Sequence, residues 1–288
     1  MELFLERRWV QKNQILLWKI AMLIDAHTHL NQEQLFPERE THMKHFEESW
    51  GKYLINAGAN TWYNQRGILI AQESLHKFPE LRIKATIGYH PCDVKAEQQS
   101  NYPQMITDLE HQYIANKEHI AGIGECGVDL HYPDNASAKD QQHILELQAE
   151  LAKKLWLPLV IHSRDAFEET LEVLKKFTEL KIYFHCRGYG PKEIWILEKM
   201  FPQLWIGFTG VITYPKAQET RESFFAIKNA KILMETDAPY LPPQEFRGKM
   251  NSPAYLHYIY EYSAKLIGKN KEEREESIAK NFFALVEK

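Results

Sequence analysis

Eight short runs of apolar and β-branched residues alternate along this chain with longer amphipathic stretches, and that rhythm narrows the fold more than any other feature. The runs cover residues 22–26, 53–57, 82–88, 119–124, 157–162, 181–185, 203–208 and 231–236. Each has the length of a strand buried in a parallel sheet. Between them apolar residues recur at helical spacing. Ile144, Leu147, Leu151 and Leu155 fall on one face of a helix expected over 138–156, and Phe167, Thr170, Leu171 and Leu174 on one face of another over 165–177. Strand and helix repeat at roughly 30 residues per unit, the period of an α/β (β/α)8 TIM barrel. An open doubly wound sheet would alternate too, but no GxGxxG opens a helix here, and Gly122-Ile123-Gly124 is only a fragment of that fingerprint. Two helices near 254–267 and 271–286 are expected to close the chain. No linker, repeat or low-complexity tract divides it, so residues 22–288 form a single expected domain.

Residues 1–21 stand apart. Lys19 interrupts the apolar run Ile15-Leu16-Leu17-Trp18, and no small-residue cleavage site follows, which argues against a secretory signal or a membrane span. The segment is expected to be an extension, or the product of an upstream start with Met22 as the initiator.

Charge limits the partners. The 35 basic residues against 39 acidic ones give a net charge of −4, which disfavours a broad electrostatic grip on duplex DNA. A local hold on a few phosphates through bound cations stays compatible. Cys92, Cys126 and Cys186 are odd in number and form no CxxC, so a disulfide framework is not expected and a reducing cytoplasm is.

Chemistry gathers at the carboxyl ends of the expected strands. His27 and His29 follow the first, His90 ends the third, Glu125 follows the fourth, His162 and His185 end the fifth and sixth, and Asp237 follows the eighth. Barrel active sites lie at this face. A lone strand-end histidine is more often structural, and a lone Asp is commonly a helix N-cap. Six residues of metal-binding type (His27, His29, Glu125, His162, His185, Asp237) on five strands of one barrel argue instead for convergence on a metal site. In an extended segment His27 and His29 point to the same side and can reach one cation. The same alternation turns Cys126 and Cys186, each beside a proposed ligand, outward as small filler.

The segments MLIDAHTHL (22–30), GECGVDLHY (124–132), PLVIHSRDAF (158–167) and METDAPYLPP (234–243), with RGKMNSP (247–253) and NFFAL (281–285), together resemble the TatD-type deoxyribonucleases of the metal-dependent hydrolase superfamily. The resemblance implies that His27, His29, Glu125 and Asp237 hold one divalent ion and that Glu125, His162 and His185 hold a second, with Glu125 bridging. The ions would be Mg²⁺ or Mn²⁺, with Zn²⁺ kept open by the four imidazoles. Asp237 would also orient or deprotonate the attacking water, making it and Glu125 the catalytic pair. The implied activity is 3′–5′ trimming of single-stranded DNA to mononucleotides. His90, Arg164, Arg187, Arg247, Lys249 and Asn251 are weaker expectations for substrate contact, with Tyr132, Tyr189, Tyr214 and Tyr240, in loops at the active-site face, available to stack on bases. The sequence departs from the family pattern after His185, where it reads Cys186-Arg187-Gly188-Tyr189-Gly190, and at Cys92, where a second His is common. The alternative is a small-molecule hydrolase of the same superfamily, such as a lactonase, amidase or small phosphodiesterase. Many of these bridge two metals with a carboxylated Lys on strand four, where this chain has Glu125. A third reading, a barrel that only binds a partner, fits poorly with an intact ligand set.

Overall fold

The computed structural model describes residues 22–186 and 188–287. The expectations for residues 1–21 and for Arg187 therefore lie outside the described residues. Eight parallel strands pair in chain order: β1 (Leu23–Thr28), β2 (Gly51–Asn56), β3 (Arg82–Ile87), β4 (Ile120–Asp129), β5 (Leu159–Arg164), β6 (Ile182–Phe184), β7 (Leu204–Phe208) and β8 (Lys231–Met234). Past the end of β8, Asp237 N donates to His27 O at 2.9 Å and His29 N to Ala238 O at 2.8 Å, which draws the sheet into a nearly closed barrel. Closure thus runs through the segments that carry three of the expected ligands.

Helices cover the outer face: α1 (Arg39–Glu48), α2 (Thr61–Lys77), α3 (Tyr102–Ala115), α4 (Ala138–Leu155), α5 (Phe167–Leu174), α6 (Pro191–Met200), α7 (Gln218–Ala226), α8 (Leu256–Leu266) and α9 (Lys271–Val286). In α4 the Ser137 side chain accepts from Asp140 N to start the helix, and Trp156 in the left-handed region, φ 56°, ends it. Its face of Ile144, Leu145, Leu151 and Ala152 is buried. A capping box between Asn270 and Glu273 starts α9. This helix seals the lower end of the barrel. Its Asn281 accepts from Trp205 Nε1 at 2.7 Å and donates to Ile232 O at 2.9 Å.

One boundary differs from expectation in a way that matters. The fourth strand was expected to stop at Gly124, but β4 runs ten residues to Asp129, and Glu125 lies inside it. Gly124 and Gly127, at φ 137° and 151°, resemble turn residues in sequence. Here they accommodate an irregular pairing with β5 between Ile123 and Cys126.

Candidate metal centre

The strands deliver their side chains to one point. His27 lies in β1 and Glu125 in β4, both essentially without solvent exposure. His162 lies in β5, His185 one residue beyond β6, and Asp237 three residues beyond β8. Glu125 occupies the middle, and its two oxygens face different partners. Oε2 lies 3.3 Å from His27 Nε2 and 3.7 Å from His29 Nε2. Oε1 lies 2.5 Å from His185 Nε2, 2.9 Å from His162 Nδ1 and 3.5 Å from His90 Nε2. Asp237 Oδ1 completes the first side, 3.2 Å from His29 Nε2 and 3.9 Å from His27 Nε2. All six expected ligands are brought together, and His90 joins them.

The donor set fits divalent cations. Three trios offer ligand atoms within 4.8 Å of one another: His27, His29 and Asp237; His27, Glu125 and His185; His90, Glu125 and His162. The Nε2 atoms of His27 and His29 lie only 3.2 Å apart, with carboxylate oxygens on either side. Nitrogen lone pairs and carboxylates converging in a buried space need a positive centre. The Nδ1 atoms of His27, His29 and His185 are buried without a hydrogen-bond partner, which is uncommon for imidazole in a protein interior.

Protonation follows the same crowding. Burial opposes ionisation of Glu125, but the imidazoles of His185, His90, His27 and His162 outweigh it and hold the carboxyl well below the usual range. Asp237 is lowered likewise, burial being overcome by His29 and its neighbours. Burial, helped by His185, pushes His27 down to about 4. Burial disfavours charge on His162 too, yet its bonds to Asp129 and Glu125 lift it to about 9.

Beneath the ligands lies a layer that the sequence reading missed. Asp25 accepts from Thr236 N at 2.9 Å and from Thr236 Oγ1 at 2.5 Å, tying β1 to the segment after β8, and burial pushes its carboxyl up to about 7. Asp129 Oδ2 lies 2.8 Å from His162 Nε2. Glu235 accepts from the Tyr183 hydroxyl, and its Oε1 lies 3.8 Å from His185 Nδ1. Within β1, alternation puts Asp25 on the side of His27 and could have singled it out.

The expected substrate contacts are scattered. Arg164 is exposed and packs over the Tyr132 ring at 5.3 Å, donating to its hydroxyl. Arg247 is exposed over Tyr214 at 4.7 Å, and Lys249 lies 5.9 Å from the Phe246 ring. Asn251 does not face the site. It is fully buried, with its amide donating to Thr236 O and Tyr240 O, so it braces the loop instead of offering a contact. Tyr189 is similarly occupied, its hydroxyl bonded to Ser163 and Ala166 N.

The cysteines divide. Cys126 is buried with its thiol on Val160 O, as alternation requires, and burial raises it far above the usual thiol range. Cys186 departs from expectation. β6 ends at Phe184 and Cys186 takes φ 42°, so the alternation no longer applies, and its backbone N donates to Glu235 Oε1. Burial and then the carboxylates of Asp237 and Glu235 raise its thiol well above the ordinary value, so neither cysteine is a thiolate. All three cysteines are free.

The chain is similar to known proteins. Residues 24–287 match the family model described as TatD related DNase. An uncharacterized metal-dependent hydrolase of Bacillus subtilis, YabD, is 31% identical over 248 residues, covering 85% of this chain and 91% of that protein. The human 3′-5′ RNA nuclease TATDN2 is 36% identical over 160 residues, which is 55% of this chain but 20% of that protein. The crystal structure of YJJV, a TatD homolog from Escherichia coli, superposes with a TM-score of 0.77 at 22% identity, covering 92% of this chain and 97% of the other. With the family matched across nearly all of the barrel, the chain belongs to the TatD family of metal-dependent hydrolases.

Proposed function

We propose that the protein is a phosphodiesterase using two divalent ions, Mg²⁺ or Mn²⁺ with Zn²⁺ as the further candidate, and that it trims single-stranded DNA from its 3′ end. The observation that carries this reading is Glu125, one carboxylate with each oxygen turned to a different set of imidazoles. His27, His29, Glu125 and Asp237 would hold one ion, and Glu125, His162 and His185 the other. When bound, the ions supply Lewis-acid polarisation of a phosphoryl oxygen and make water more acidic. Asp237, held ionised beside His29, would take the proton of the attacking water. Arg164 and Arg247, on exposed rim segments, are available to pair with flanking phosphates. Tyr132 and Tyr240, 49% and 44% exposed, offer rings to a base. The three free cysteines support a reducing, cytoplasmic setting. Among the described residues no helix is long and apolar enough to cross a membrane.

The test is a nuclease assay on end-labelled single-stranded DNA, with matched RNA in parallel because TATDN2 is named an RNA nuclease. It compares wild type and Glu125→Ala, with Mg²⁺ or Mn²⁺ and with chelator. Laddering from the 3′ end that needs metal and is lost in the variant supports the reading. Cleavage of RNA alone replaces the substrate. No cleavage of either by metal-loaded protein overturns the nuclease reading and turns the search to small esters and cyclic phosphodiesters.

A further inference from the structure

His90 and His162 sit side by side against the same oxygen of Glu125, their ring centroids 4.4 Å apart. Distance alone would make both of them ligands. Their outer hydrogen bonds separate them. Asp129 is buried, and its Oδ1 already accepts from His131 N at 2.9 Å. Its Oδ2, 2.8 Å from His162 Nε2, can only accept, so the ring's proton sits on Nε2. The Nδ1 of His162 is thereby turned inward, 2.9 Å from Glu125 Oε1 and 3.2 Å from His185 Nε2. This is the arrangement in which an outer carboxylate fixes an imidazole for metal binding.

His90 is turned the other way. Its Nδ1 accepts from Cys92 N at 3.1 Å, as the cap of the short turn Pro91–Asp93. The proton is then on Nε2, and Nε2 is the atom that faces inward. An N–H cannot ligate a cation, but it can donate to an anionic oxygen. At 3.5 Å from Glu125 Oε1 it is at the limit of a hydrogen bond, and the side chain keeps 16% of its surface open. A substrate oxygen can therefore reach it.

We propose that Asp129 is the positioning residue that makes His162 a metal ligand, and that His90 is not a ligand but an N–H donor to a non-bridging phosphoryl oxygen of the substrate. The second half rests on the phosphodiesterase reading above. The first half stands without it.

The experiment measures two quantities on the full-length protein: Mn²⁺ bound per chain, by mass spectrometry after dialysis, and affinity of the Mn²⁺-loaded protein for inorganic phosphate, by calorimetry. The variants are His90→Ala, His90→Asn, Asp129→Asn and Asp129→Glu, each checked for folding by circular dichroism. His90→Ala is expected to keep the wild-type Mn²⁺ content and bind phosphate about 10-fold more weakly, with partial recovery in His90→Asn, which restores a donor. Asp129→Asn is expected to weaken Mn²⁺ binding at one of two sites about 10- to 100-fold, with partial recovery in Asp129→Glu. Loss of Mn²⁺ in His90→Ala matching that in Asp129→Asn would make His90 a ligand and overturn its assignment. Full Mn²⁺ affinity in folded Asp129→Asn would remove the role given to Asp129. If wild type binds phosphate as expected but cleaves no nucleic acid, the nuclease reading falls and the assignments of both residues stand.

Discussion

At Glu125 the same carboxylate faces His27 through one oxygen and His185 and His162 through the other. Glu125→Gln keeps the volume and removes the charge. Activity is expected to fall by at least ~100-fold and bound metal to drop below two ions per chain, measured together on one preparation. His162 gives a pH signature in the metal-free protein. Its folded value is about 9 against an ordinary 6.5, so its stabilisation is complete below about pH 6.5 and is lost as pH rises through 9. Melting of chelator-treated wild type and His162→Gln should converge over that window, and a stability gap independent of pH would contradict the assignment. Metal binding near pH 7 must displace the Nδ1 proton, so calorimetry in buffers of different ionisation enthalpy should report release of about one proton. Tyr240→Ala, at the rim, should raise KM for single-stranded DNA by roughly 10-fold with little change in kcat, if its ring stacks on a base. The ligands were legible in the sequence because six residues of metal-binding type recur at the carboxyl ends of five strands, and a barrel brings those ends together. Asp129 and Glu235 were not, because a buried carboxylate at the end of a strand or just past it resembles any buried polar residue until its partner histidine is known.

Among the elements, β4 holds the site in register with β5 through Gly127. At φ 151° this position disfavours a side chain, and an added Cβ would overlap the carbonyl oxygen of His162. Gly127→Ala is expected to cost about 1–3 kcal/mol and to reduce metal binding as Glu125 and His162 part, read by denaturant unfolding and metal titration. A variant of wild-type stability would show that the strands can shift freely. Far from the site, Glu198 in α6 accepts from the backbone N–H groups of Lys228, Asn229 and Ala230 at 2.8, 2.7 and 2.8 Å, fixing the approach to β8. Burial opposes its charge, but these three bonds lower its carboxyl below the ordinary 4.5. Glu198→Ala should therefore cost ~1–2 kcal/mol near neutral pH. The difference from wild type is present above about pH 4.5 and shrinks as pH falls below it, with bound metal unchanged.

Across the whole molecule, metal and fold are linked. The unfolded chain cannot assemble ligands from five strands, so cations bind the native barrel preferentially. At 100 times the dissociation constant the gain is about 2.7 kcal/mol, or roughly 5–10 °C in Tm for a chain of this size. Titration with Mn²⁺ should raise Tm progressively, and chelator should reverse it. The lower end depends on α9, whose Ile278, Ala279, Phe282 and Leu285 are buried and whose last turn receives Lys181 Nζ on Ala284 O and Leu285 O at 2.9 and 3.1 Å. Truncation before Lys271 should leave the protein insoluble or without bound metal. A soluble truncated chain with full metal content would show that the eight strands suffice.

The sequence by itself determined the barrel and the types of its ligands. Burial on both faces makes parallel strands apolar throughout, and the helical period between them is local, so both can be read without knowing which residues meet. The tertiary structure decided everything that depends on orientation. It placed Glu125 within a strand instead of after it, because two glycines that look like a turn allow the strand to continue. It spent Asn251 on backbone carbonyls, took Cys186 out of the strand's alternation, and turned different ring nitrogens of His90 and His162 to the same carboxylate. Those outcomes rest on hydrogen bonds between residues far apart in the chain, whose energies have no local signature in the sequence.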